Sequence, residues 1–255
     1  MAPSDDNQRI YEDTGVIDIY RTIAPPQQAE RNMFEPLSDE LRTGRLLDIG
    51  IGAGRTTAYL APKVGHYVGV DYSHGLVRAA AQLYPDSDIR WCDARDMSQF
   101  EDASFDFVNF SFNGLDSLDH DGRRQVLAEV HRVLRPGGHW MFSSHNRDYV
   151  RRGMLPWQGR FKPGRVMLRK SAEALRHHRN WRHLRKEQVE TPEYALVNDE
   201  AHHYSLLHYY ISPTVQVAQL EAAGFTDVRV YDQWGTETAE PSPASIWMYY
   251  DSRRA

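Results

Sequence analysis

The sequence predicts an α/β fold, a doubly wound and mostly parallel sheet with helices on both faces. Short apolar segments alternate with amphipathic helical patterns through the first 145 residues, as in chains built from strand–helix–strand units. The same alternation resumes near the C-terminus after a long, basic interruption. We therefore expect a seven-stranded sheet, with an α+β cap formed by the interruption.

The predicted elements follow one another in a regular order. Apolar runs predict five strands, at 45–50, 66–73, 88–94, 104–112 and 139–145. Apolar residues at helical spacing predict connecting helices near 56–64, 74–84 and 121–134. The interruption ends in a hairpin at 194–211, and a helix at 213–225 and strands at 226–235 and 245–253 follow. The carboxyl ends of the parallel strands are the expected ligand site.

The composition narrows the class of protein. The 255 residues are 41% hydrophobic and 25% charged, with a formal net charge of -5, which argues against a polybasic nucleic-acid-binding protein. No stretch approaches the roughly 18 apolar residues of a membrane span, and the first residues do not resemble a secretory signal. The single Cys92 excludes an internal disulfide. We expect a cytoplasmic monomer or homodimer without membrane or nucleic-acid partners.

The segment "GRLLDIGIGAGRTT" at 44–57 places Asp48, Gly50, Gly52 and Gly54 at the end of the first strand. A dinucleotide site has the spacing G-x-G-x-x-G, and here Arg55 occupies the third glycine position. The spacing therefore does not favour pyrophosphate binding, which argues against a nicotinamide-dependent oxidoreductase. The carboxylate within the turn suits a cationic ligand group better.

This segment resembles the first motif, D-x-G-x-G-x-G, of class I S-adenosylmethionine-dependent methyltransferases. Further motifs of that family follow in order as "YVGVDYS", "RWCDARDM", "FDFVNFSFNGLDSL" and "VLRPGGHWMFSSHN". The resemblance covers roughly 44–146 and, less specifically, 213–250. It implies a Rossmann-like sheet and S-adenosyl-L-methionine as the cofactor.

The resemblance also implies cofactor contacts. Asp71 would bind both ribose hydroxyls, Asp93 the adenine amino group, and Ala94 would supply a backbone contact. In similar enzymes an N-terminal segment folds over the cofactor as a lid, here 1–43, although a helix packed on the sheet edge is an equal alternative. The full expected set is Asp48, Gly50, Gly52, Gly54, Asp71, Tyr72, Asp93, Ala94, Ser111 and Tyr20.

The candidate catalytic residues follow the fourth and fifth strands: Asn113, Asp116 and His145. Methyl transfer requires alignment of the nucleophile with the methyl carbon and sulfur, and it requires a base only when the acceptor arrives protonated. A structural hydrogen bond is the alternative role for His145. For His120, in "DSLDHDG", a structural role at an exposed helix start is favoured.

The interruption at 146–212 is predicted to be a substrate cap. Residues 146–186 contain thirteen Lys or Arg against two acidic residues, which suits a nucleic-acid surface, a small-molecule cap or a solvated face. His203, Tyr204 and Tyr209 are the candidate substrate contacts. We expect no metal, because His202 and His208 on one extended strand would lie roughly 20 Å apart.

These observations predict a methyltransferase core formed by 1–145 and 213–255. It would transfer a methyl group from S-adenosylmethionine to an oxygen or nitrogen of a small molecule, anionic or sugar-like in character. The alternatives are methylation of RNA or a peptide, and a non-catalytic partner protein that only binds the cofactor.

Overall fold

The computed structural model describes residues 25–149, 175–176, 178–199, 204–238 and 244–255. One ten-stranded sheet organises this part of the chain. Its strands are β1 (Arg45–Ile49), β2 (His66–Asp71), β3 (Asp88–Trp91), β4 (Phe105–Phe110), β5 (Leu134–Asn146), β6 (Val189–Glu190), β7 (Tyr194–Val197), β8 (His208–Ile211), β9 (Phe225–Tyr231) and β10 (Trp247–Arg254).

The seven predicted core strands are confirmed, in the order β3-β2-β1-β4-β5-β10-β9. The first five run parallel, and β10 inserts antiparallel between β5 and β9. The order reverses at β1, between β2 and β4, and this reversal opens a crevice at the carboxyl ends of the strands. The connections between strands and helices that carry the predicted motifs converge there.

The strands β6, β7 and β8 extend this sheet. The hairpin β7–β8 is antiparallel, and β8 pairs in parallel with the last two residues of β5, His145 and Asn146. Since His145 also pairs with Trp247 of β10, β8 occupies the other edge of β5, beyond the end of β4. The cap function predicted for 146–212 stays a prediction, because residues 150–174 and 200–203 lie outside the described part.

Helices cover both faces of the sheet. They are α1 (Gln28–Phe34), α2 (Ser38–Leu41), α3 (Thr57–Leu60), α4 (His74–Leu83), α5 (His120–Val133) and α6 (Pro213–Ala222). Side-chain oxygens cap two of them: Ser73 accepts from the Leu76 amide at 3.2 Å, and Asp119 accepts from the Gly122 amide at 2.8 Å. The predicted helix start around His120 is confirmed.

Two apolar cores lie on the two faces. On one face Val126, Val130 and Leu220 of α5 and α6 pack against the sheet. On the other face Met33 and Phe34 of α1 pack within a second apolar cluster. Since α1 is held in this core, the described part of the predicted lid region, 25–43, packs on the sheet. Residues 1–24 lie outside the described part.

Candidate active site

A cavity lies at the carboxyl ends of β1, β2, β4 and β5. Its wall combines backbone of the glycine segment, acidic side chains and apolar side chains. Nine residues predicted from the sequence line it: Gly50, Gly52, Asp71, Tyr72, Asp93, Ala94, Ser111, Asn113 and His145. Two others, Tyr20 and His203, lie outside the described residues.

The glycine segment contributes bare backbone to this wall. Gly50 and Gly52 have φ of +65° and +58°, in the left-handed region that favours glycine. A Cβ on Gly50 would lie 2.5 Å from Cε2 of Phe110, so the position has no room for a side chain. Gly54 is also left-handed, but it packs against the Tyr84 ring and does not line the cavity. The contact of Gly54 with the cofactor stays a prediction, and the contact seen in the structure is with the Tyr84 ring.

The Asp71 carboxylate is fixed at the end of β2. Its Oδ2 accepts a hydrogen bond from the Gly52 amide, and its Oδ1 accepts one from the Ser73 amide, both at 2.9 Å. The carboxylate thereby joins the glycine segment to the start of α4. It is buried yet lies on the cavity wall, which suits a hydrogen-bond acceptor for vicinal hydroxyls.

Asp93 also lines the cavity, but it is already paired with Arg95. The guanidinium approaches the carboxylate to 2.6 Å, and the Arg95 amide donates to it at 2.9 Å. Both side chains are about a quarter exposed, at 28% each. Arg95 therefore belongs to this wall, and the motif match did not predict it.

Asp48 does not line the cavity. It is fully buried beneath the glycine segment, where Asn109 and the Tyr67 hydroxyl each donate to it at 2.7 Å. Burial raises the pKa of Asp48 above its usual value, against hydrogen bonds that favour the carboxylate. The expectation of direct contact with a cationic ligand is corrected: Asp48 supports the turn from below.

Arg55, in the position where a dinucleotide motif has glycine, forms an ion pair with Glu30 of α1 at 2.5 Å. The same guanidinium donates to Ser111 at 2.9 Å and lies over the Phe112 ring. Burial opposes ionisation of Glu30, yet the hydrogen bonds and charge of Arg55 hold its pKa below the usual value. The pair attaches α1 to the glycine segment and to the loop after β4.

The loop after β4 has unusual backbone geometry. Phe112 and Asn113 both have positive φ, +55° and +59°. Such conformations cost about 1–3 kcal/mol each in non-glycine residues and cluster at functional sites. The Asn113 amide donates to Ser143 Oγ at 2.8 Å, while its side-chain Oδ1 is buried without a hydrogen-bond partner among the described residues. This acceptor on the cavity wall has capacity for a ligand.

Asp116 and His145 form a hydrogen-bonded pair. Asp116 Oδ2 accepts from the His145 amide at 2.6 Å and contacts His145 Nδ1 at 2.8 Å. Asp116 itself is fully buried and does not line the cavity. Since a carboxylate only accepts hydrogen bonds, the contact fixes the proton on Nδ1 and makes Nε2 the basic nitrogen of neutral His145.

The fully buried Arg123 completes this cluster. Its guanidinium donates to Asp116 Oδ1 at 2.6 Å, and Ser144 Oγ donates to the same oxygen at 2.7 Å. Burial opposes the ionised form of Asp116, but the His145 hydrogen bond and the Arg123 charge hold its pKa below the usual value. The sequence predicted only that Arg123 lies on an amphipathic helix. Its contacts could not be predicted, because they depend on tertiary packing.

His208 is a cavity residue that the sequence analysis did not select. It lies on β8, and its Nδ1 is 3.0 Å from both carboxylate oxygens of Asp199. The rings of His208 and His145 are 5.3 Å apart, centroid to centroid. The sequence did place His208 in the predicted hairpin, but there it was considered only as a possible metal ligand. No group of three or more metal-ligating side chains occurs within the described ranges.

The two described substrate candidates lie elsewhere. Tyr209 is fully buried, hydrogen-bonds to His120 Nδ1 at 2.9 Å and stacks on Tyr194. Tyr204 is buried in the loop before β8, and its carbonyl accepts from Asn198. Neither lines the cavity. For Tyr209 the reason is that alternation along β8 turns His208 and Tyr209 to opposite faces. We therefore replace Tyr209 by His208 as the candidate substrate contact.

Comparison with known proteins agrees with this geometry. The sequence model of a family described as "Methyltransferase domain" matches residues 47–142. This match covers the glycine segment, Asp71, Asp93 and the loop after β4. Residues 47–142 therefore carry a methyltransferase domain, as the motifs of the class I S-adenosylmethionine-dependent methyltransferases predicted. The fold and family predicted from the motifs are confirmed.

Two named relatives each match about half of this chain. The demethylmenaquinone methyltransferase of Clavibacter sepedonicus is 35% identical over 130 residues, covering 49% of this chain and 51% of that protein. An O-methyltransferase of Aspergillus nomiae is 32% identical over 119 residues, covering 44% and 50% respectively. The chain thus spans about half the length of each relative.

A solved structure shows the same fold over most of the chain. The 1,6-didemethyltoxoflavin-N1-methyltransferase of Burkholderia thailandensis, with 1,6-didemethyltoxoflavin and S-adenosylhomocysteine bound, matches with a TM-score of 0.56 and 16% identity. The match covers 93% of this chain and 81% of that one. At this identity the likeness concerns the fold alone.

The residues of this methyltransferase fit S-adenosylmethionine. The left-handed Gly50 and Gly52 let a ligand approach their backbone. The Asp71 carboxylate on the same wall can accept from hydroxyls, and the unsatisfied Asn113 Oδ1 can accept from a further donor. Apolar side chains of Ile49 and Leu76 complete a wall suited to a flat, partly apolar ligand.

Substitution of Gly50 by alanine should destabilise the protein more than the same change at Gly137. Both glycines have positive φ, but a Cβ on Gly137 would meet nothing within 4 Å, whereas one on Gly50 would meet Phe110. We expect Gly137→Ala to cost about 1–2 kcal/mol from the backbone alone, and Gly50→Ala about 1–3 kcal/mol more from overpacking. Urea unfolding measures both, and equal losses would contradict the steric argument.

Stability should depend on Asp199 at acidic pH. Although burial opposes it, the charge of His208 lowers the pKa of Asp199 from 3.8 to about 2. A lowered folded-state pKa contributes stability that is present above pH 3.8 and lost as the pH falls towards 2. Over this window, Asp199→Asn should reduce the pH-dependent loss of unfolding free energy by about 2 kcal/mol.

Urea unfolding at a series of pH values measures this dependence. The matched control is Asp86→Asn, at an exposed turn position after α4. Identical pH profiles for wild type and Asp199→Asn would contradict the assigned role of the His208–Asp199 pair.

Among the residues described, none of the helices has the length and apolar character needed to cross a bilayer.

Proposed function

We propose that this protein transfers the methyl group of S-adenosylmethionine to an oxygen or nitrogen atom of a small molecule. The observation that carries the proposal is the position of His145. Its ring lines the same cavity as the glycine segment and Asp71, and its Nδ1 is bound to Asp116. The residues proposed to bind the cofactor and the oriented histidine thus line the same cavity.

When bound, S-adenosylmethionine supplies an electrophilic methyl group on a sulfonium. The role of His145 is to accept, at Nε2, the proton that the acceptor hydroxyl or amine loses. Asp116 orients the imidazole through Nδ1, and Arg123 balances the buried carboxylate charge. Asn113 Oδ1 can orient a donor group of the acceptor.

The character of the wall supports a small acceptor. Apolar residues that include Phe110, Phe112 and Trp247 alternate on it with the polar groups described above, the usual composition of small-molecule sites. The relative from Clavibacter sepedonicus and the structural neighbour from Burkholderia thailandensis are both named for small-molecule substrates. An anionic or sugar-like acceptor stays part of the proposal.

Two measurements test this function. Calorimetry should show binding of S-adenosylmethionine and S-adenosylhomocysteine but not of NAD. Release of S-adenosylhomocysteine should then be measured over a panel of phenols, hydroxy acids, sugars and amines, with RNA and basic peptides as separate arms. Turnover with RNA or peptides alone would replace the proposed acceptor class. Cofactor binding without any turnover would favour a non-catalytic partner protein, and NAD binding alone would contradict the cofactor.

A further inference from the structure

A second histidine–carboxylate pair faces the cavity of the first. His208 lies on β8 and Asp199 in the loop after β7, and both carboxylate oxygens lie 3.0 Å from His208 Nδ1. The Tyr210 hydroxyl donates to Asp199 Oδ2 at 2.7 Å. These contacts hold the carboxylate behind the imidazole, so the ring lies between Asp199 and the cavity.

The sheet fixes the distance between the two pairs. β8 joins β5 in parallel, with Tyr210 opposite His145. This register places the His208 and His145 rings 5.3 Å apart, and the Tyr210 ring is 4.7 Å from that of His145. One small molecule can therefore contact both imidazoles at once.

The charges around the two histidines differ. Asp116 shares its charge with the buried Arg123, as well as contacting His145. Asp199 forms its ion pair with His208. Within the described residues, Asp116 thus has a guanidinium partner, whereas the contact of Asp199 shown here is with an imidazole.

The contact with Asp199 favours the protonated form of His208. Burial lowers the pKa of a histidine, but here the Asp199 carboxylate, with a smaller contribution from Asp116, raises the pKa of His208 above 6.5. Among the described residues, Asp199, Asp116 and His145 are charged or titratable groups near His208, and Tyr210 is bonded to Asp199. Two neighbouring histidines in different environments can divide the roles of base and cation.

The aromatic residues on the rest of the cavity wall indicate what kind of ligand would fit beside the two histidines. Phe112, which is 45% exposed, and Trp247 lie with ring centroids 5.6 Å apart on the cavity wall. Such a pair suits an apolar or aromatic ligand body. The sequence that precedes the hairpin is strongly basic, with thirteen Lys or Arg against two acids over 146–186.

We propose that His208 determines substrate specificity by binding, as a cation, an anionic oxygen next to the reacting atom of an aromatic or apolar acceptor. This proposal rests on the proposed function and deepens it. His208 keeps its proton throughout, and His145 accepts the proton of the reacting group. The acceptor class is thus an acidic aromatic hydroxyl compound, such as one with a carboxylate beside the hydroxyl.

The test uses a matched pair of probes, 2-hydroxybenzoate and 2-hydroxybenzamide, which differ in the charge beside the hydroxyl. Each is titrated by calorimetry into the full chain saturated with S-adenosylhomocysteine. We expect the wild type to bind the carboxylate at least about tenfold more tightly than the amide, as for a charge-assisted hydrogen bond. His208→Gln should remove this preference while leaving amide binding unchanged.

His66→Gln is the matched control, because His66 is exposed at the amino end of β2 and away from the cavity. An equal affinity of wild type for the two probes, or failure of both to bind at millimolar concentration, would overturn the proposal. So would a preference that survives in His208→Gln. The cofactor titration comes first, so an absent preference in a cofactor-binding protein contradicts this inference while the proposed function stands.

A measurement on the wild-type chain tests the protonation of His208 directly. Nitrogen-15 NMR of histidine-labelled protein near neutral pH, with the His208 signals assigned by comparison with His208→Gln, should show the His208 ring as an imidazolium. A neutral His208 ring would overturn the proposal.

Discussion

Replacement of His145 by glutamine is expected to lower kcat by about 10²–10⁴-fold, the usual contribution of a positioned general base. The reason is that Nε2 of His145 is the nitrogen left for proton transfer once Nδ1 is bound to Asp116. Cofactor affinity should stay unchanged, since the contacts proposed for the cofactor lie at the ends of β1, β2 and β3 and in the loop after β4. The readout is S-adenosylhomocysteine release with the best acceptor of the panel.

The pH dependence separates a base from a structural histidine. The wild type should show a dependence of kcat on pH that His145→Gln does not reproduce. In His145→Gln the small residual rate should rise with pH only through ionisation of the acceptor. His66→Gln, at the opposite end of the sheet, serves as the control. A rate within a factor of about two of wild type would remove His145 from the reaction, because even a modest base contributes far more.

Substitution of Asp71 by alanine should weaken binding of S-adenosylhomocysteine by about 1–3 kcal/mol, which is about 5- to 150-fold in Kd. The carboxylate is held by the Gly52 and Ser73 amides at the end of β2. Its loss removes the acceptor proposed for the ribose hydroxyls and also frees the glycine segment from α4. Calorimetry measures the change.

The control for Asp71→Ala is Asp86→Ala, at an exposed position beyond α4. Circular dichroism and urea unfolding establish that both variants are folded. Unchanged affinity in a folded Asp71→Ala would show that Asp71 only ties the backbone together. A loss of similar size in Asp86→Ala would instead indicate a general charge effect.

The periodicity of the apolar residues was sufficient to predict the strands and helices of the core. Apolar runs such as that ending at Asp48 are buried strands, and the capping residues Ser73 and Asp119 begin the helices that follow strands. The predicted strand at 139–145 proved longer, since β5 begins at Leu134. The reason is that α5 ends at Val133 and Leu134 already has extended backbone angles, so the strand begins without an intervening loop.

The motifs indicated which residues would meet at the cavity, but not what each would contact. Asp48 matched its motif, yet it lies beneath the turn and bonds to Tyr67 and Asn109. Asp93 also matched, and its carboxylate is paired with Arg95. The spacing of the motifs indicates which backbone segments meet at the cavity. The hydrogen-bond partners of each side chain depend instead on residues that packing brings together from distant parts of the chain.

By itself the sequence determined the succession of strands and helices, the glycine turn and the acids at the strand ends, because these depend on local spacing and alternation. Only the tertiary structure decided the polar cluster around His145 at the cavity. Arg123 on α5, Asp116 after β4, His145 on β5 and His208 on β8 come from four separate segments. His208 joins the other three only because the hairpin pairs with β5, and no local pattern in the chain encodes that long-range contact.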